Sequence, residues 1–149
     1  MDQLGRALGH LETACTEEGL GVVMGELGIM GEARVHKSFD EQRAPDIVAD
    51  IGRATEAAGQ PWAAPSPATM ERRQGSSMEL LRDTGRMEQA VAHAIIGASA
   101  EIGIGVYYAE YQHGGTPTIP ARPIVGIDDT DMDGMMGRVV QHLEAAVSR

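Results

Sequence analysis

Asp129-x-Asp131-x-Asp133-Gly134 is the pattern in this chain best suited to chemistry. Alternating carboxylates with a glycine at the sixth position make the first half of a calcium loop, since hard cations take oxygen ligands and the glycine permits the sharp turn. The second half departs from that pattern: position nine is Gly137, and position twelve, which should supply a bidentate Glu, is Val140. The same carboxylates, with Asp128, precede a helical pattern, where they can accept bonds from free N–H groups and meet the positive end of the helix dipole. Capping is therefore the expected role of Asp129, Asp131 and Asp133. A small acidic calcium- or ligand-binding module is the alternative, and no cofactor is implied.

Histidines stand at positions 10, 36, 93, 113 and 142, and no two share the three- or four-residue spacing that puts paired metal ligands on one helical face. His113 has Tyr111 and Gln112 beside it but no nucleophile pattern, so it is expected to anchor a loop or an interface rather than move a proton. Cys15, the only cysteine, excludes an intrachain disulfide. It continues the apolar spacing of Leu4, Leu8 and Leu11 and is followed by Glu17 and Glu18, which predicts a buried packing thiol. Gly19-x-Gly21-x-x-x-Gly25 and Gly103-x-Gly105 lack the spacing and the Lys-Ser/Thr of a phosphate loop. The residues thus point to a protein that is not an enzyme.

With 149 residues the chain has the length of one domain, expected to span 1–149 as a helical part (1–40), a Pro-rich excursion (41–79) and a sheet followed by a C-terminal helix (80–149). A net charge of −10 is the wrong sign for neutralising phosphates, so specific nucleic-acid binding is not expected. An acidic surface does suit a channel wall past which DNA slides. The chain carries no apolar run of membrane-spanning length, and its opening residues lack the regions of a signal peptide, which predicts synthesis in a reducing cytoplasm and no membrane partner.

The elements that must hold these residues follow from periodicity. Leu4, Leu8 and Leu11 recur at helical spacing; Gly19 with Gly21 is expected to break the pattern, and a second helix carries Val23, Leu27, Met30, Val35 and Phe39 toward a core. Gly25, Gly28 and Gly31 lie near one face of it, where a neighbour can approach closely. Short helices are expected near 47–58 and 67–73. Val91, His93 and Ile95 alternate, Gly97-Ala98-Ser99 can turn, and Ile102, Ile104 and Val106 alternate again, which reads as a β-hairpin. A third strand over 122–127 is expected to complete that sheet, and a final helix over 131–148 should bury Met132, Met136, Val139, Leu143 and Val147. The fold class is α+β, a small antiparallel sheet packed against helices.

Tyr108-Ala109, His113-Gly114 and Ile119-Pro120-Ala121-Arg122-Pro123 stand in order in a stretch whose two last prolines rule out a central strand. Gly59-Gln60-Pro61-Trp62 with Ser66-Pro67-Ala68-Thr69, then Leu80-Leu81-Arg82-Asp83-Thr84-Gly85-Arg86-Met87, precede them, and the closing helix follows. Together these segments, over roughly residues 28–147, resemble the phage virion morphogenesis family, the Mu-like tail completion proteins, with an insertion around 47–58. The resemblance implies a structural virion protein at the head-proximal end of a phage tail, made in the host cytoplasm and joining tail to head. It further implies a ring of about six copies, tail tube or sheath proteins and head-side connectors as partners, and DNA passing through the ring. Trp62, Tyr108, Tyr111, His113 and Arg122 are the expected interface residues, with Trp62 also able to pin the excursion onto the body.

Overall fold

The computed structural model describes residues 3–73 and 79–148. The long axis is α2 (Glu17–Glu41), preceded by α1 (Gln3–Ala14). The break between them falls at Cys15 and Thr16 rather than at Gly19 and Gly21, because the Thr16 hydroxyl caps α2 by accepting from the Gly19 amide at 3.2 Å. Glu17 and Glu18 then occupy the first turn, where the dipole favours them, and both glycines lie inside the helix. Cys15, expected to be buried, is exposed, since it lies in this junction and not on the inner stripe.

The hairpin forms as its alternation predicts: β2 (Val91–Ile96) pairs antiparallel with β3 (Ser99–Ile104) around Gly97 at φ +58°. One of its faces lies on α2, and two glycines make that contact close. A Cβ on Gly28 would stand 2.2 Å from the His93 ring, and one on Gly31 would meet the Ile102 side chain at 2.6 Å. The other face, with Ala92, Ala94, Ile96 and Glu101, is exposed.

The expected third strand is absent from this sheet. Gly126–Ile127 forms β4 and pairs instead with β1 (Ile47–Val48), at the position where a helix was expected over 47–58. A 3₁₀ turn over Ala54–Ala57 is the helical part of that stretch. The amides just before β4 are taken by a side chain, as described below, so the segment cannot extend along the hairpin edge. Short helices α3 (Pro67–Arg72), α4 (Arg86–Gln89) and α5 (Ala109–Gly114) and the closing α6 (Asp129–Val147) complete the chain. Residues 74–78 of the excursion lie outside the described residues.

The core gathers at the C-terminal end of α2: Val35, Phe39, Ala44, Trp62, Met87, Ala109 and Ile124 are buried together. The Phe39 and Trp62 rings meet edge to face at 5.7 Å, a geometry favoured by the aromatic quadrupole. Arg82 covers the outer side of Phe39 and pairs with Asp40, Glu79 and Glu88, and its bond to Glu88 holds that carboxyl below its usual range.

A second inner contact is ionic. Arg34, on α2 and only 2% exposed, pairs with Asp128 at 2.9 Å and Asp131 at 3.0 Å and donates to the Ser38 hydroxyl at 3.1 Å. The other Asp128 oxygen accepts from the Asp46 amide at 2.8 Å, which ties β1 to the start of α6. Asp131 in turn accepts from the Asp128 amide and closes a capping box.

Helix α6 packs on α1 and α2, with Met135, Val139, His142, Leu143 and Ala146 half-buried, and buries no residue fully. Of the expected inner stripe, Val139 and Leu143 are half-buried, whereas Met132, Met136 and Val147 turn outward and are 41%, 58% and 48% exposed. Asp131, paired with Arg34, faces α2 in the first helical turn, and its neighbour Met132 points away from it. No helix among the described residues is long and apolar enough to cross a membrane.

Removing one partner of a buried ion pair strands the other without water or countercharge. Arg34→Leu is therefore expected to lower the unfolding free energy by about 3–5 kcal/mol in urea titrations followed by circular dichroism. A loss under about 1 kcal/mol would show that α6 is held by its apolar contacts alone.

Candidate functional site

The residues singled out between 62 and 123 converge on one region, where α5 and the loop after it lie against the excursion. Trp62 is 6% exposed, and its indole N–H donates to the Pro123 carbonyl at 2.8 Å. Arg122, 7% exposed, donates from Nε to the Ala63 carbonyl at 2.8 Å, from Nη2 to the Ala64 carbonyl at 3.2 Å and from Nη1 to the Gln112 side chain at 3.2 Å. Its own amide donates to the Gln112 carbonyl at 2.7 Å. Two loops without regular pairing are thus stitched together by side chains, the alternative available to irregular backbone whose polar groups must still be satisfied.

His113 performs the same task further in. At 4% exposure, its Nδ1 accepts from the Ile124 amide at 3.0 Å, and its Nε2 lies 2.9 Å from the Ala49 carbonyl. An acceptor at Nδ1 and a carbonyl facing Nε2 select the neutral tautomer with its proton on Nε2. Burial pushes the ring's pKa below its ordinary value, against the bond to Ala49 that favours the charged form. A proton on Nδ1 would face the Ile124 N–H donor to donor. This ring joins the segment just after β1, α5 and the β4 approach, and both its nitrogens are taken up by backbone groups.

Trp62 and His113 therefore spend their polar atoms inside the chain, and Arg122 spends three of its five donors there, so all three hold loops together and are nearly covered. Tyr108 is half-buried and lies edge to face against Tyr107 at 5.5 Å. Tyr111 is 49% exposed and Tyr107 85% exposed, which leaves these two rings as the aromatic surface of the segment. Tyr107 carries the weaker sequence signal of the two because its exposure depends on where the hairpin ends.

The aspartate run is taken apart by the fold. Asp131 is held by Arg34, whereas Asp129 and Asp133 are exposed. The described residues contain no group of three or more His, Cys, Asp or Glu side chains placed to hold a metal ion. Asp128, which sequence reasoning gave only a capping role, is the central carboxylate. Burial opposes its charge, but the Asp46 amide and Arg34 outweigh that and hold its pKa below the usual range. Arg34 was missed altogether, because a single cation inside an apolar helical stripe carries no signal of where its partners lie.

A model of the phage virion morphogenesis family matches residues 1–144. The match takes in both N-terminal helices as well as the segments between 59 and 123. No curated protein and no solved structure matches the chain.

The depressed pKa of His113 makes a pH dependence. As pH falls below about 6.5, the unfolded chain takes up a proton that the folded ring refuses, so stability drops until the depressed folded value is reached. Wild-type protein is expected to lose part of its urea resistance between about pH 7.5 and about pH 5.5, and His113→Gln should flatten that loss while being less stable at the upper pH. Parallel profiles for the two proteins would assign the dependence to another group.

Proposed function

The chain belongs to the phage virion morphogenesis family, and from that premise we propose that it completes the tail at its head-proximal end and joins it to the head as one subunit of a ring. The reading rests on the family match across 1–144, and the use of the motif residues agrees with it. Trp62, His113 and Arg122 build a scaffold and hold no reacting group, as a structural role requires.

The surface is also that of a protein made to be covered. Leu4, Leu8, Val22 and Ile29 on the first two helices, Met136 and Val140 on α6, Ile96 on the hairpin and Tyr107 after it are all large, apolar and exposed. Exposed apolar side chains distributed over several faces fit a subunit with neighbours on two sides, the arrangement that closes into a ring. The hairpin adds unpaired strand edges, which can bind a neighbour through main-chain hydrogen bonds. In this reading the acidic surplus keeps DNA sliding through the ring rather than adhering to its wall. The partners are the tail tube or sheath on one side and head-side connector proteins on the other. The protein works in the virion after assembly in the host cytoplasm.

Native mass spectrometry or light scattering, on the protein alone and with isolated tail tubes, tests the reading directly. The expected result is a closed assembly of about six copies, formed in solution or on the tubes. Tyr107→Ala combined with Tyr111→Ala should weaken that assembly about tenfold, some 1.4 kcal/mol, while leaving the fold intact. A protein that stays monomeric and ignores tubes overturns the proposal.

A further inference from the structure

One concave surface runs against the charge of the rest of the chain. A groove of about 520 Å³ opens between α3, the stretch 80–87 and the loop 118–122. Arg72, Arg73 and Arg122 line it together with the apolar Leu81 and Tyr108, and Asp83 is the one carboxylate among the described residues of the lining. This stands in a protein of net charge −10.

The three cations differ in how they are answered. Arg122 is buried and bonded to two carbonyls and an amide oxygen, so its positive charge meets no carboxylate among the described residues. Three of its five donors are used, which leaves one hydrogen on each terminal nitrogen for a further acceptor. Arg73 donates to the Glu79 carbonyl at 3.0 Å. Arg72 lies exposed in the last turn of α3 and pairs with no carboxylate among the described residues. Burial, with the nearby Arg73 charge adding to it, holds Arg122 below its ordinary range, as expected of a guanidinium whose surroundings supply no compensating anion.

We propose that this groove is the docking site for the acidic end of a second copy of the chain, and that it forms the heterologous contact of the ring. The inference rests on the ring reading above and assigns one of its two faces. Its warrant is charge complementarity across a fixed distance. The groove is anchored to the C-terminal end of α2, since Gln42 holds Leu80 through both its amide atoms and Arg82 pairs with Asp40. Glu17 and Glu18, exposed and without ion-pair partners among the described residues, stand at the other end of that 25-residue helix, roughly 36 Å away at 1.5 Å per residue. The hairpin turn lies beside Glu17, with a Cβ on Gly97 reaching its carboxylate at 3.7 Å, and brings the exposed Ile96 to the same end. A surface with carboxylates and an aliphatic side chain at one end thus complements a groove with guanidinium groups and apolar walls at the other. Contacts between unlike ends repeat head to tail, and they close into a ring when the rotation from one copy to the next is a whole fraction of a turn.

The test is a charge swap read by native mass spectrometry and light scattering at about 20 mM and about 300 mM salt. Arg72→Glu, and separately Glu17→Lys with Glu18→Lys, should each weaken self-association about tenfold at the lower salt. Circular dichroism should show both folded, because all three side chains are exposed. An equal mixture of the two variants should recover assemblies in which they alternate, since each reversed groove then faces a reversed end. Wild-type-like assembly by Arg72→Glu, or a mixture that stays dissociated, overturns the docking site and leaves the ring reading standing. Wild-type protein that remains monomeric at both salts and on tail tubes overturns both. A short DNA duplex or inorganic phosphate that binds wild-type protein but not Arg72→Glu, with self-association unchanged, assigns the groove to phosphate and overturns the proposal.

Discussion

A guanidinium held inside the helical layer is the constraint on which the arrangement depends. Arg34 has 1% of its side chain exposed, and an unpaired charge at such a depth would be prohibitively costly. It is met by two carboxylates and a hydroxyl, and one of those carboxylates also receives the Asp46 amide. Three separate parts of the chain, α2, the approach to β1 and the start of α6, are therefore fixed relative to one another by a single charged group. The apolar contacts around it could slide by a fraction of a turn. The bidentate fork of an arginine cannot slide without losing a bond.

The rest of the polar interior follows a similar logic with neutral partners. The excursion and the loop after α5 have little strand or helix pairing, so their amides and carbonyls need partners from elsewhere. Trp62, Arg122 and His113 supply those partners from side chains. Each reaches across some ten to sixty positions of sequence to do so, and each is buried as a result. Residue types that often mark catalysis or recognition are used here to hold loops. The price is rigidity in a region of the chain that would otherwise be the most adaptable.

What the fold leaves uncovered is as informative as what it buries. The outer stripe of α6, the outer faces of the first two helices and one face of the hairpin remain apolar or flat and open. With only five aromatics in 149 residues, the chain concentrates its core at one end of α2 and leaves the other end thinly packed. A neighbour that covered those faces, as the proposed ring would supply, would add to the stability of the chain.

Several features were legible without coordinates. The hairpin follows from alternation on either side of Gly97, the two opening helices and the closing helix follow from apolar spacing, and the family follows from ordered motifs, because all of these are local or repeating signals. The sequence by itself thus determined the α+β class, most of the elements and the family. Tertiary structure alone decided that Gly126–Ile127 joins Ile47–Val48, that Arg34 claims Asp128 and Asp131, that Met132 and Met136 face outward, that Arg122 serves loops, and which loops His113 joins. A periodic pattern states that a face exists, and its local spacing carries no record of what comes to cover it. Partners 64 to 97 residues apart meet only when the whole chain has packed, and it is their burial that gives a lone arginine or histidine its role.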